Sequence, residues 1–384
     1  MTNDRCRSSP KEIDKEIMVP GQKTSMQYVR LGNSGLKVSK IILGCMSYGT
    51  PKWQPWVLDE EESLEHIKAA YDAGINTFDT ANAYSDGVSE KILGKAIKEF
   101  KLPREEIVVM TKVYANVKKD FSEQPFREPE ELDASGYVNQ HRLSRKHIFD
   151  SVKLSLERLQ LDYIDVLQCH RFDYDTPIEE TMQALHDVVK AGYVRYIGMS
   201  SCYAYQFHAM QNYAIYNKLT PFISMQNHYN LVYREEEREM FPTLKHFGVG
   251  SIPWSPLARG LLTRPFKSET TRGNTDRYGP LSSNRRFSEV FMARCRLIKG
   301  YNVNEGTEKI VASAEDIAKK RGISMAQIAL AWVLSRPGIT APVVGTTSLE
   351  NLNDLLGAIH VKLTDEEIKQ LEDAYQPQRV FGHN

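Results

Sequence analysis

Along most of the chain, short runs of consecutive apolar residues alternate with longer stretches in which apolar residues recur every three or four positions. The short runs read as strands and the longer stretches as amphipathic helices. The strand candidates are Ile41–Gly44, Asn76–Asp79, Ile107–Lys112, Tyr163–His170, Val194–Ser200, Phe222–Asn227, Gly250–Trp254 and Ala341–Gly345. Several are apolar almost throughout, as expected of parallel strands covered on both faces. Ahead of them, Tyr28 to Ser39 predicts a β-hairpin turning at Gly32-Asn33-Ser34-Gly35.

The helices carry readable ends. Asp59, with Glu62 three residues on, predicts a helix whose inner face holds Leu64, Ile67, Ala70 and Tyr71 and which stops at Gly74. Thr176-Pro177-Ile178-Glu179 combines an N-cap threonine, proline at the first helical position and a capping-box glutamate, with Gly192 as the stop. Ser324 to Gln327 opens an apolar helix ending by Arg336, ahead of Pro337, and Thr364 to Glu367 opens the last one.

Eight strand–helix units without a compositional break predict an α/β protein, a single (β/α)8 TIM barrel with an N-terminal hairpin over residues 28–384, preceded by a flexible tail over 1–27. Alternation alone also fits a doubly wound sheet, and the strand count favours the barrel. Pro253 predicts a short or bulged seventh strand. Two connections are long: Tyr114 to Leu143, and Leu262 to Gly306 with a possible short helix near Phe291. Both follow strands, so both are expected on the C-terminal face, where barrels build active sites.

Charge and cysteine usage narrow the function. Lys plus Arg is 49 and Asp plus Glu is 49, so the net charge is zero, which argues against nucleic acid or an anionic membrane as partner. Cys6, Cys45, Cys169, Cys202 and Cys295 are scattered, with no C-x-x-C pair, and no H-x-H or H-E-x-x-H occurs. Neither a disulfide framework nor a metal site is expected. No apolar run reaches the roughly 18 residues of a membrane span, and Ile17-Met18-Val19 is too short for a signal-peptide core. The expected compartment is the reducing cytosol. Neither the dinucleotide motif G-x-G-x-x-G nor a P-loop is present.

Candidate chemistry sits at strand ends, which a barrel gathers at one mouth. Asp79, Lys112 and His170 close the second, third and fourth strands, and Tyr84 lies five residues past Asp79. A tyrosine with a pKa of about 10 is a poor proton donor near neutrality. An ammonium such as Lys112 beside it lowers that pKa, Asp79 keeps the lysine charged, and His170 orients a carbonyl. Each residue alone has a plainer explanation, as a cap, a loop aromatic, a snorkelling lysine or a core histidine. Their coincidence at successive strand ends favours function. Ser255 to Gly260 after strand seven, and Gly345 to Ser348 at a helix start after strand eight, suit an anionic group.

The segment Phe78-Asp79-Thr80-Ala81-Asn82-Ala83-Tyr84 resembles the motif of Asp, Thr and Ala leading to Tyr in the aldo-keto reductase family. Met110-Thr111-Lys112, Gln168-Cys169-His170, Gly198-Met199-Ser200-Ser201, Gln226-Asn227, Trp254 to Gly260 and Val344 to Ser348 follow in the family's order. The likeness spans about Tyr28 to Tyr375 and is greatest to the fungal aryl-alcohol-dehydrogenase-like branch, itself akin to potassium-channel β subunits. It implies NADPH-dependent reduction of a small aldehyde or ketone, aryl or otherwise apolar. By the same likeness Tyr84 is the general acid, Lys112 and Asp79 tune it, and His170 positions the carbonyl.

Cofactor contacts are implied for Ser200, Ser201, Gln226, Trp254, Ser255, Pro256, Leu257, Ala258, Arg259 and Gly260, and for Gly345, Thr347, Ser348 and Asn351. Relatives commonly grip the 2′-phosphate of NADPH with Arg or Lys in the turn matching Thr346 to Ser348. None stands here, so NAD is the alternative cofactor and Arg259 a candidate substitute.

A cofactor-binding docking subunit like the channel β subunits is the competing reading, with Tyr114 to Leu143 and the N-terminal tail as its surfaces. A Schiff-base lyase using Lys112 is a third, and it leaves both anion-binding loops unexplained. Trp53, Trp56, Tyr84, Tyr114 and Tyr229 are expected near the mouth, and Cys45 and Cys169 at strand ends are candidates for thiol sensitivity. Oligomeric state is not legible.

Overall fold

The computed structural model describes residues 26–121, 129–266, 301 and 304–383. Strands β1 (Tyr28–Arg30) and β2 (Lys37–Ser39) form the antiparallel hairpin. The sheet then runs through β3 (Ile42–Gly44), β4 (Thr77–Asp79), β5 (Val108–Val113), β6 (Ile164–Cys169), β7 (Val194–Ser200), β8 (Phe222–Gln226), β9 (Gly250–Ser251) and β10 (Val343–Val344). All neighbours are parallel, in the order β10-β3-β4-β5-β6-β7-β8-β9. The ring closes between β9 and the approach to β10, where Ser251 bridges Ile339 and the Val343 amide donates to the Pro253 carbonyl at 2.9 Å. This is the expected (β/α)8 barrel. Strand β9 has two residues because Pro253 has no amide hydrogen to continue the ladder.

Period-2 alternation sorts the barrel interior into layers. Val108, Met110 and Val166 join Ile42, Ile252 and Ala341 in an apolar plug, against which the hairpin residues Leu31 and Val38 pack. Gly32, in the left-handed region at φ 59°, lies so close to the Gly248 carbonyl that a β-carbon would collide with it. One step further along β5 and β6 the inward residues turn polar, to Lys112 and Gln168, which face each other in register.

Around the barrel stand α1 (Glu60–Asp72), α2 (Val88–Glu99), α4 (Arg145–Leu159), α5 (Ile178–Lys190), α6 (Ala204–Tyr216), α7 (Met240–Phe247), α8 (Glu305–Arg321), α9 (Met325–Ser335), α10 (Leu349–Leu356) and α11 (Asp365–Glu372). The short α3 (Pro129–Ala134) lies in the loop after β5. Asp59, Ser324 and Thr364 cap their helices as expected, each side chain accepting from the amide three residues on. Thr176 does not. Pro177 occupies the N-cap position of α5, the helix begins at Ile178, and the Thr176 hydroxyl bonds Asp173 instead. The helix expected near Phe291 lies outside the described residues.

Candidate active site

Three strand ends place the polar centre. Lys112, on β5, reaches across to β4 and donates to Asp79 Oδ2 at 2.5 Å, to the Thr80 carbonyl at 2.9 Å and to the Tyr84 hydroxyl at 3.2 Å. The other Asp79 oxygen accepts from the side-chain amides of Gln168 at 2.7 Å and Gln226 at 2.9 Å. Lys112 is 1% and Asp79 2% exposed, so this is a buried ion pair, tolerable because each carboxylate oxygen has a donor. Gly198 makes room for it: a side chain there would press on Gln168 and Ser224. Tyr84 stands edge-on to His170, with ring centroids 5.7 Å apart at 82°. Immediately after Tyr84, Ser85 and Asp86 both take positive φ, at 47° and 51°, a strained turn for non-glycine residues. Thr50 donates its amide to the Ser85 hydroxyl at 3.2 Å, and Lys118 pairs with Asp86 at 3.4 Å, so the turn is held from both sides.

Burial pushes the Tyr84 phenol above its ordinary value of 10; the Lys112 charge opposes this without reversing it. Lys112 pulls the phenol toward acidity as expected, but desolvation, which the sequence reading did not weigh, outweighs the ammonium in the free protein. Burial works against charge on Lys112 too, but Asp79 and Tyr84 hold its pKa above 10.5. Burial, then the neighbouring charges of Arg171 and Lys112, drives His170 well below 6.5, so its imidazole is neutral at physiological pH. Its Nδ1 is buried without a partner among the described residues.

A cavity of about 1690 Å³ opens over this centre. Asp79, Tyr84 and His170 line one end, with Met46, Trp56 and Leu58 as an apolar wall. Lys112 sits behind Tyr84. Of the expected cofactor residues, Ser200, Gln226, the stretch Trp254 to Leu257, Arg259 and Gly260 line the cavity, as do Gly345, Thr347 and Asn351. Three stand behind the wall. Ser201 accepts the Trp254 indole N–H at 3.1 Å, Ala258 is buried in the core, and Ser348 caps α10 by accepting the Asn351 amide at 3.3 Å.

Some expectations are corrected. Tyr229 is not at the mouth; it stacks on Trp332 at 5.5 Å in a separate core, its hydroxyl donating to Glu237. Trp53 lies beside the mouth as expected, its ring 6.5 Å from Tyr84 in a cluster with Trp56 and Met46, whereas Tyr114 is partly buried against the barrel core. Cys45 and Cys169 are fully buried, and desolvation raises both thiols, which disfavours the reactive thiolate.

Sequence reading missed much of the cavity's charge. Arg171, Arg264 and Arg379 line it beside Arg259. Arg264 is half-buried, desolvation lowers its pKa, and no carboxylate pairs with it among the described residues. Asp354, also in the wall, is engaged by the Ser324 hydroxyl at 2.5 Å and the Gln327 amide at 2.9 Å. Arg171 adjoins His170 and Arg264 lies four residues past Gly260, so adjacency to a motif was the available signal. For Arg379 to Gly382, which also line the cavity, no motif existed.

The profile of the Aldo/keto reductase family matches residues 40–376. Versiconal hemiacetal acetate reductase of Aspergillus parasiticus is 47% identical over 356 residues, covering 92% of this chain and 98% of that protein. A Schizosaccharomyces pombe protein named "Putative aryl-alcohol dehydrogenase" is 48% identical over 363 residues, covering 92% and 97%. An aldo-keto reductase of Fusarium vanettenii is 44% identical over 387 residues, covering 98% and 100%. The chain accordingly belongs to the aldo/keto reductase family and is an oxidoreductase of carbonyl compounds.

Proposed function

We propose that this protein reduces aldehydes or ketones, aryl or otherwise apolar ones foremost, with NADPH as reductant and Tyr84 as the proton donor. The observation that carries the proposal is the Tyr84 hydroxyl, 3.2 Å from a buried ammonium and facing the cavity beside a neutral His170. When bound, the nicotinamide supplies the hydride; the protein's part is orientation and the proton. Tyr84, with its pKa above 10, is protonated at neutral pH and is held ready as an acid. As its proton passes to the carbonyl oxygen, the tyrosinate left behind gains the charge of Lys112, which Asp79 keeps in place. A neutral imidazole at His170 has an N–H to donate to the same oxygen without competing as an acid.

The donor set fits a nicotinamide dinucleotide. Ser200, Gln226 and Trp254 would hold its nicotinamide end, with Ser201 bracing Trp254 from behind, and Ser255 to Leu257, Arg259 and Gly260 with Gly345, Thr347 and Asn351 its phosphates and adenosine, at the start of a helix capped by Ser348. A half-buried Arg264 with no carboxylate partner among the described residues points to an anion. Arg259, Arg264 and Arg379 support NADPH over NADH despite the uncharged turn at Thr346 to Ser348. The apolar wall of Met46, Trp56 and Leu58 supports an apolar carbonyl.

Residues 28–384 are the proposed barrel unit and 1–27 an appended tail. The proposed compartment is the cytosol, which suits the free thiols of Cys45, Cys169 and Cys202. No helix among the described residues is long and apolar enough to cross a membrane.

The test is NADPH oxidation by the purified protein with a panel of aromatic and aliphatic aldehydes, beside Tyr84→Phe. Turnover should fall by roughly 10²–10⁴-fold in the variant while NADPH binding persists. Undiminished turnover in Tyr84→Phe would remove Tyr84 from the reaction.

A further inference from the structure

The C-terminal segment is tied to the cavity by a buried chain of polar contacts. Arg379, Val380, Phe381 and Gly382 line the cavity wall. Gly382 takes φ 88° hard against Trp254, where a β-carbon would stand 3.0 Å from the indole Cζ2. Phe381 lies 6.4 Å from the Trp254 ring, with the Arg259 guanidinium 5.3 Å from its own centroid. The next residue, His383, turns inward: it is 6% exposed, sits edge-on to Tyr203 at 4.9 Å, and brings Nε2 within 3.1 Å of Glu236 Oε1.

Glu236 is 3% exposed, and no lysine or arginine pairs with it among the described residues. Its second oxygen accepts from the Asn227 side-chain amide. The Asn227 side-chain oxygen Oδ1 in turn accepts the Ser201 backbone amide at 3.0 Å. Ser201 Oγ receives the Trp254 indole N–H at 3.1 Å and lies 3.2 Å from Ser200 Oγ. A buried carboxylate is costly unless partnered, so these contacts are not interchangeable with solvent. The chain from His383 through Glu236 and Asn227 therefore ends on Ser200, Ser201 and Trp254.

We propose that His383 and Glu236 are positioning residues of the cofactor site. They fix the Ser201–Trp254 shelf through Asn227, and they hold Arg379 to Gly382 against the cavity as part of its wall. The inference rests on the reading of this cavity as a nicotinamide-cofactor site.

The test uses the full chain, with NADPH affinity measured by fluorescence titration and KM measured separately for NADPH and the carbonyl. His383→Ala should weaken NADPH about tenfold, in both dissociation constant and KM, and the carbonyl KM far less. A chain ending at Gln378 should lose at least as much. His383→Gln, whose amide still donates to Glu236, should recover most of the affinity. If the wild type binds NADPH and turns over, yet His383→Ala and the shortened chain stay within about twofold of it, the inference is overturned and the reductase reading stands. A loss that His383→Gln does not recover, accompanied by a matching fall in the melting midpoint, makes the pair a folding contact and overturns it too. A wild type that neither binds NADPH nor reduces any carbonyl overturns both.

Discussion

Replacing Lys112 by methionine keeps an unbranched side chain one atom shorter and removes the ammonium 2.5 Å from Asp79 and 3.2 Å from Tyr84. Asp79 is then a carboxylate 2% exposed, with Gln168 and Gln226 still donating to Oδ1 at 2.7 and 2.9 Å and nothing on Oδ2. Breaking a buried pair in this way costs about 3–5 kcal/mol, and the two surviving amide donors place this case near the lower end. Asp79→Asn in the same molecule removes the stranded charge while leaving an amide oxygen for both glutamines. The double variant should therefore return to within about 1 kcal/mol of wild type. Activity should not return, because the tyrosinate left after proton transfer has no counter-charge in either variant. Turnover should be roughly 10²–10⁴-fold low in both. Urea unfolding reads the stability through its midpoint at constant slope, and NADPH oxidation reads the activity. A double variant as unstable as Lys112→Met would refute the stranded-charge argument. One that regained turnover would refute the role of the ammonium.

Arg264→Ala should weaken NADPH by about tenfold while changing NADH little, as expected of a guanidinium on a phosphate; equal losses for the two cofactors would remove it from 2′-phosphate recognition. His147 is buried and desolvation lowers its pKa from 6.5 to about 4, so the unfolded chain takes up a proton the folded one refuses. Its neutral form contributes stability above pH 6.5, and roughly 3 kcal/mol is lost as pH falls toward 4. His147→Gln should thus flatten the stability–pH slope in that window by about one proton, and urea midpoints with an unchanged slope would contradict the assignment. Gly94 in α2 meets α4 so closely that a β-carbon would collide with the Leu159 carbonyl. Gly94→Ala should destabilise by about 1–3 kcal/mol, even though alanine is the better helix former, and a raised melting midpoint would show that the helices can part.

Much of this architecture is legible because local physics and tertiary structure agree. The strands of a parallel barrel are covered on both faces, so the stretches Ile107-Val108-Val109-Met110, leading into β5, and Val166-Leu167 in β6 stand out as apolar. Caps such as Asp59 and Thr364 are satisfied within their own first turn and need no partner elsewhere. Thr176 differs: α5 begins one residue later than its capping pattern predicts, and the hydroxyl donates to Asp173, a contact that only the fold supplies. Tyr229 and Trp56 are both aromatic residues in loops after strands, and nothing local distinguishes the one buried against Trp332 from the one lining the cavity.

The sequence by itself established eight strand–helix units, favoured a barrel over a doubly wound sheet, and singled out Asp79, Lys112 and His170 at strand ends with Tyr84 in the loop beyond the second, because periodicity and motif spacing are properties of contiguous chain. Only the tertiary structure decided how those groups interact. Burial sets Tyr84 above rather than below its ordinary pKa, and closure of the ring delivers Gln168 and Gln226 to Asp79 from 89 and 147 residues away. The cations of the cavity and its C-terminal wall belong to the same class. Arg264 and Arg379 are ordinary surface-type residues in the sequence; Arg264 acquires meaning from desolvation and both from convergence on the cavity, which depend on what the rest of the chain places around them.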